Sequence, residues 1–142
     1  AETDVDPRRI DLEITEVSAV EDIEVTVKTM HRLKELGFTI SIDDFGTGYS
    51  SLSRLVDFPI DTLKIPREFV EKINIETSGY AMISSIIHLA KSLDVAVIAE
   101  GVETLEQVNV LNRLKCTRMQ GYYFGRPMRP EAIEPLLYPD QR

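Results

Sequence analysis

Short, strand-sized apolar runs recur along this chain, and the segments between them repeat at helical spacing. That alternation constrains the fold more than any other feature. "IDLEIT" (Ile10 to Thr15) alternates apolar and polar residues as a half-buried strand does. Ser18 and Glu21 form a capping-box pair, after which Val20, Ile23, Val27, Met30 and Leu33 recur on one helical face until Gly37. "FTISID" (Phe38 to Asp43) and "IDTLKI" (Ile60 to Ile65) are the next strands, with a short helix predicted over "SSLSRLVD" before Pro59. "PREFVEKINIET" is a loop or short helix. A long helix is predicted from Gly79 to Leu93, with Ile83, Ile86, Ile87, Ala90 and Leu93 on one face.

"VAVIA" (Val95 to Ala99) is apolar on both faces, as a parallel strand covered by helices requires. Thr104 and Gln107 form a second capping box, opening a helix through Leu114. "TRMQGYYF" reads as a fifth, shorter strand, and Pro130 stands where a last helix over Glu131 to Leu137 begins. Strands alternating with helices imply βαβ units and a parallel sheet. The expected fold class is α/β, with about five parallel strands and alternating helices.

Bulk properties narrow the function. The 142 residues suffice for one ordinary domain core. A net charge of −8 argues against a basic face gripping a nucleic-acid polymer, yet an acidic site can hold a phosphate ligand through divalent cations. No apolar run approaches membrane-spanning length. Cys116 is the only cysteine, so no internal disulfide forms, and a reducing compartment, the cytoplasm, is expected.

Polar residues gather at the predicted strand ends. Glu13 and Glu16 close the first, Asp43 and Asp44 the second, Lys64 the third; Glu100 and Glu103 follow the fourth, and Gln120 the fifth. In a parallel βα barrel these ends share one rim, where such folds place chemistry. Clustered carboxylates repel one another, and hard cations such as Mg²⁺ or Mn²⁺ relieve that repulsion through oxygen ligands. Asp43 and Asp44 suit a two-metal site for phosphodiester hydrolysis, with Lys64 offsetting charge or orienting a water. Gly46 and Gly48 permit a sharp turn after the paired acids.

"LEITE", "DDFGTGYSSL", "LKI", "AEGVE" and "QGYYFGRP" resemble, in order and spacing, the motifs of the EAL-domain phosphodiesterases of cyclic di-GMP signalling. The resemblance runs from about Leu12 to Leu137. It implies a modified TIM-like barrel that cleaves cyclic di-GMP to linear pGpG with two Mg²⁺ or Mn²⁺ ions. By resemblance, Glu13, Asp43 and Asp44 are metal ligands and Lys64 neighbours the nucleophilic water. Glu100 is a metal ligand or general base, and Gln120 supports the water and metal shell. Glu16 and Glu103 hold the paired-acid loop in place. Phe45, Gly46, Thr47, Gly48, Tyr49 and Ser50, with Ser51, resemble the segment coupling substrate binding to dimerisation.

Two departures accompany the resemblance. The Glu-Ala-Leu segment and a strand-end asparagine, both metal ligands in the family, are absent from the 142 residues and are expected upstream of residue 1. The resemblance therefore implies that the whole chain, 1–142, is the C-terminal part of an EAL domain lacking the first barrel strands, a partial TIM-like (β/α) barrel, since a closed barrel takes about 250 residues. Pro66 also replaces the family's aspartate after "LKI". On this reading the isolated chain hydrolyses cyclic di-GMP poorly or not at all and self-associates through exposed barrel edges. The alternatives are a degenerate module that binds cyclic di-GMP or a protein without hydrolysis, and an unrelated metal-dependent barrel enzyme. His31 and His88 read as surface or packing residues, and Tyr122, Tyr123 and Phe124 as barrel packing.

Overall fold

The computed structural model describes residues 4–16, 23–47, 55–73 and 77–137. Five parallel strands form one sheet in chain order: β1 (Asp11–Thr15), β2 (Thr39–Asp43), β3 (Thr62–Ile65), β4 (Ala96–Ala99) and β5 (Arg118–Met119). Helix α1 (Ile23–Glu35) joins β1 to β2. Helices α2 (Arg67–Glu71) and α3 (Thr77–Ser92) lie between β3 and β4, and α4 (Leu105–Arg113) between β4 and β5. Helix α5 (Pro130–Leu137) follows, with Pro130 at its start as the sequence predicts. The capping box of Ser18 and Glu21 and most of the short helix over Ser50 to Asp57 lie outside the described residues.

Strand pleating sorts the side chains. In β2 and β3, Ile40, Ile42, Leu63 and Ile65 point to the helix layer and are buried with Met30, Val70, Ile83, Ile86 and Leu111. The alternate residues face the other way and are mostly polar: Asp11, Glu13, Ser41, Asp43, Thr62 and Lys64. This face borders an open cavity of about 500 Å³ beside Ser41, Thr62, Ala96, Ile98 and Arg118. Here β4 departs from the expectation of two covered faces. Ala99 is buried against the helices, while Ala96 and Ile98 are half-buried at that cavity.

At the amino end of the sheet, the Asp61 carboxylate accepts the Ile40 N–H at 2.8 Å and Lys34 Nζ at 2.5 Å, pinning the end of α1 to β2 and β3. The second capping box is present in full. The Gln107 N–H donates to Thr104 Oγ1 at 3.2 Å, and the Thr104 N–H donates to Gln107 Oε1 at 3.0 Å. Gln107 Nε2 also donates to the Val70 carbonyl at 3.3 Å, tying α4 to α2.

The fifth strand is shorter than "TRMQGYYF" suggests. The Gln120 N–H still reaches the Ala99 carbonyl at 2.8 Å, but the chain then turns, and the Tyr123 N–H donates to the Val102 carbonyl at 3.0 Å. A Cβ on Gly121 would fall 2.1 Å from that same Val102 oxygen, so only glycine permits this approach. Tyr122, Tyr123 and Phe124 are consequently exposed instead of packed into the sheet, with Arg126 stacked 4.5 Å from the Tyr122 ring centre. Among the described residues no helix is long and apolar enough to cross a membrane.

Leu63, fully buried on the outward face of β3, is the sharpest test of this packing. Leu63→Ala is expected to cost about 2–5 kcal/mol, read as a lowered urea midpoint at unchanged slope.

Candidate active site at the carboxyl ends of the strands

Lys64 is the centre of the site. Its neighbours Leu63 and Ile65 are drawn into the core, so the pleat turns the lysine to the polar face. Its side chain is only 7% exposed, and Nζ donates to Glu13 Oε1 at 2.7 Å, Glu100 Oε1 at 2.8 Å and Asp43 Oδ1 at 3.2 Å. Three strands thus deliver carboxylates to one ammonium beside the end of a fourth. Burial alone would depress the lysine pKa. Hydrogen bonds to Glu100 and Glu13, the charge of Glu100 and a hydrogen bond to Asp43 outweigh burial and hold it above the ordinary lysine range.

The loop after β2 is ordered by two kinds of contact. Asp44 takes a left-handed backbone conformation (φ 53°), which an aspartate tolerates, and so leaves the line of the sheet. Its N–H donates to Asp43 Oδ1 at 3.0 Å, and its carbonyl accepts Thr47 Oγ1 at 2.8 Å. Gly46 has φ 93°, and its N–H donates to a carboxylate oxygen of Glu16 at 2.8 Å. Glu16, only 5% exposed, is thereby the strut under this loop. Phe45 is buried in the core, and its N–H donates to the Lys64 carbonyl at 3.3 Å. Thr47 is exposed, and Gly48, Tyr49 and Ser50 lie outside the described residues.

Beside this centre, Glu100, Glu103, Gln120, Gly121 and Tyr122 line a cleft of about 230 Å³ together with Arg67. The Arg67 guanidinium pairs with Glu103 at 3.0 Å and with Glu71 at 2.5 Å. Among the described residues Glu103 therefore meets Arg67, not the paired-acid loop. Arg67 was not among the residues singled out from sequence. Its only signal there is a basic residue two places beyond the end of a strand. Pro66 caps α2 with φ −66° and makes no side-chain capping bond.

Glu13, Asp43, Glu100 and Lys64 come together, whereas Asp44 is exposed at the rim and Gln120 faces the neighbouring cleft. Among the described residues no three acidic, histidine or cysteine side chains already stand as a ligand shell for an ion. The lysine ammonium takes the middle. The donors nevertheless fit a hard divalent cation: they are carboxylate oxygens, without sulfur or imidazole, and three of them already converge on a positive charge.

The EAL domain family model matches residues 1–127. The chain belongs to the EAL domain family. It is similar to the cyclic di-GMP phosphodiesterase NbdA of Pseudomonas aeruginosa, at 42% identity over 90% of this chain and 16% of NbdA. Among solved structures, a cyclic di-GMP complex of the PaMucR phosphodiesterase superposes with a TM-score of 0.87 at 40% identity, over 91% of this chain and 52% of that one. A manganese and cyclic di-GMP complex of Klebsiella pneumoniae BlrP1 superposes at 0.80 and 35% identity, over 87% and 31%. The chain thus spans a small part of the curated relative and about half or less of these solved chains.

Within this EAL chain, Glu16→Ala should strand the Gly46 N–H and destabilise the protein by about 1–3 kcal/mol. Hydrogen exchange should quicken at Gly46 and its loop neighbours while β3 stays protected. Unchanged exchange at Gly46 would remove Glu16 from its role as strut.

Proposed function

We propose that this chain is part of a metal-dependent phosphodiesterase domain that hydrolyses cyclic di-GMP to linear pGpG. The observation that carries the reading is the convergence of Glu13, Asp43 and Glu100 on Lys64 at the strand ends of an EAL-family sheet. Glu13, Asp43, Asp44 and Glu100 would hold Mg²⁺ or Mn²⁺ ions, two in the complete domain. The bound ions supply Lewis-acid stabilisation of the attacking and leaving oxygens. One water adds to a bridging phosphorus, the bond to the 3′ oxygen breaks, and the product carries a new 5′ phosphate and a free 3′ hydroxyl.

The chain's own groups divide this work. A carboxylate oxygen of Glu100 takes one proton from the attacking water, and that proton passes through solvent to the departing 3′ oxygen. The Lys64 ammonium offsets the charge that builds on the phosphoryl oxygens, and it stays protonated because its acidic neighbours hold its pKa high. Gln120 orients the water by hydrogen bonding. Glu16 keeps the loop of Asp44 to Thr47 in place, so that the paired acids present a constant geometry.

One observation favours a second reading, a module that binds the dinucleotide without cleaving it. Pro66 occupies the position after β3 where the family resemblance calls for an aspartate, and it offers no polar side chain to substrate or to α2. The two readings separate in one experiment. With the preceding sequence of the domain restored and Mn²⁺ present, cyclic di-GMP should be converted to pGpG, and Glu100→Gln should slow turnover about a hundredfold or more. Binding of cyclic di-GMP without pGpG formation would favour the binding module.

The 142-residue chain alone is expected to bind Mn²⁺ weakly and to show little turnover, and robust hydrolysis by it would refute this. Within the described sheet β1 and β5 each have one unpaired edge. The chain alone should therefore self-associate, and a monodisperse monomer in light scattering at micromolar concentration counts against that.

A further inference from the structure

We propose that Lys64 is the resident counter-ion of this rim and competes with divalent cations for the same three carboxylates. The inference rests on the metal-dependent reading above. It adds that metal loading is set by displacement of an internal ammonium as well as by ligand count.

The geometry carries it. Glu13 comes from the middle of β1, Asp43 from the end of β2 and Glu100 from just beyond β4, and each places an oxygen on Nζ within 3.2 Å. Three carboxylates this close to one another repel strongly unless a cation sits among them. Lys64 supplies that cation from within the chain. It cannot readily withdraw, because its side chain is 7% exposed and its backbone is bracketed by the fully buried Leu63 and Ile65.

A divalent ion seeks the same lone pairs that the ammonium now holds. No three acidic side chains among the described residues stand as a ready ligand shell. Loading must therefore loosen the lysine from at least one acid.

The three acids are not equally free to change partner. The Glu13 side chain is 53% exposed, against 25% for Asp43 and 22% for Glu100. Asp43 Oδ1 is also engaged by the Asp44 N–H at 3.0 Å, which fixes its position. Glu13 is thus the acid that exchanges the ammonium for an ion, while Asp43 and Glu100 keep Lys64 in place. The sign of the effect follows from charge alone. Removing one positive charge from among three carboxylates makes the site more attractive to a divalent cation and less stable without one.

The test compares the whole 142-residue chain with Lys64→Met and Lys64→Arg, using Mn²⁺ as the probe. Affinity is measured by calorimetry, and melting is followed in chelator and in excess Mn²⁺. Lys64→Met is expected to bind Mn²⁺ about tenfold more tightly than the wild type. It should melt lower in chelator and recover more of its melting temperature on adding Mn²⁺. Lys64→Arg, which keeps the charge, should bind no more tightly than the wild type.

Equal or weaker binding by Lys64→Met overturns the competition, as does tightening by Lys64→Arg to the same degree. A Lys64→Met chain that stays unfolded even in Mn²⁺ also overturns it, because the ion then fails to replace the ammonium. If the wild type binds Mn²⁺ and only the expected tightening is missing, the phosphodiesterase reading survives. If neither wild type nor Lys64→Met binds Mn²⁺, the competition falls, while the phosphodiesterase reading is decided separately by pGpG formation in the restored domain.

Discussion

The buried ammonium of Lys64 is the constraint on which the rest of the rim depends. It joins β1, β2 and the segment after β4 through Glu13, Asp43 and Glu100, and it does so from β3, which lies inside the sheet. A lysine so enclosed is tolerable only when acids surround it, and acids so close are tolerable only with a cation among them. Each side of the contact therefore requires the other. Their positions are dictated by the strand pleat, which sends Leu63 and Ile65 into the core and leaves Lys64 no other direction.

That same pleat separates stability from chemistry within single strands. One set of alternate residues in β2 and β3 is aliphatic and packs under the helices, and the other set is polar and faces the cavity. Substitutions on the two faces should thus act on different properties although the residues are adjacent in the chain. The loops at the rim inherit their order from the same scaffold. Glu16, one residue beyond β1, holds Gly46 after β2, and Gln107 in α4 holds α2 below the cleft occupied by Arg67. A perturbation at any one strand end is therefore shared with its neighbours through hydrogen bonds instead of remaining local.

Much of this was legible in the residues themselves. The capping pair of Thr104 and Gln107, the proline opening α5 and the alternation of β1 depend on chemistry within a few residues, and each is present. Misjudged elements had longer-range causes. "TRMQGYYF" looks like a strand because its residues favour one, yet the backbone of Val102 draws the chain into a turn at Gly121. Ala96 and Ile98 look like core because they are apolar, yet they border the open cavity. Arg67 showed only as a basic residue just beyond a strand, and its place beside Glu100 and Gln120 arises only when β3, β4 and β5 lie side by side.

Sequence by itself determined the order of strands and helices, the polarity of each strand face and the acids at the strand ends, because periodicity and capping are local. Its motifs also carried the resemblance to the EAL family. Tertiary structure alone decided which of those acids meet. Glu13, Asp43 and Glu100 stand on Lys64, Asp44 is turned out to solvent, and Glu103 is drawn to Arg67. The reason is that a side chain's partner across a parallel sheet depends on register and on the backbone conformation of the loop that follows. Both are fixed by packing among segments far apart in the chain.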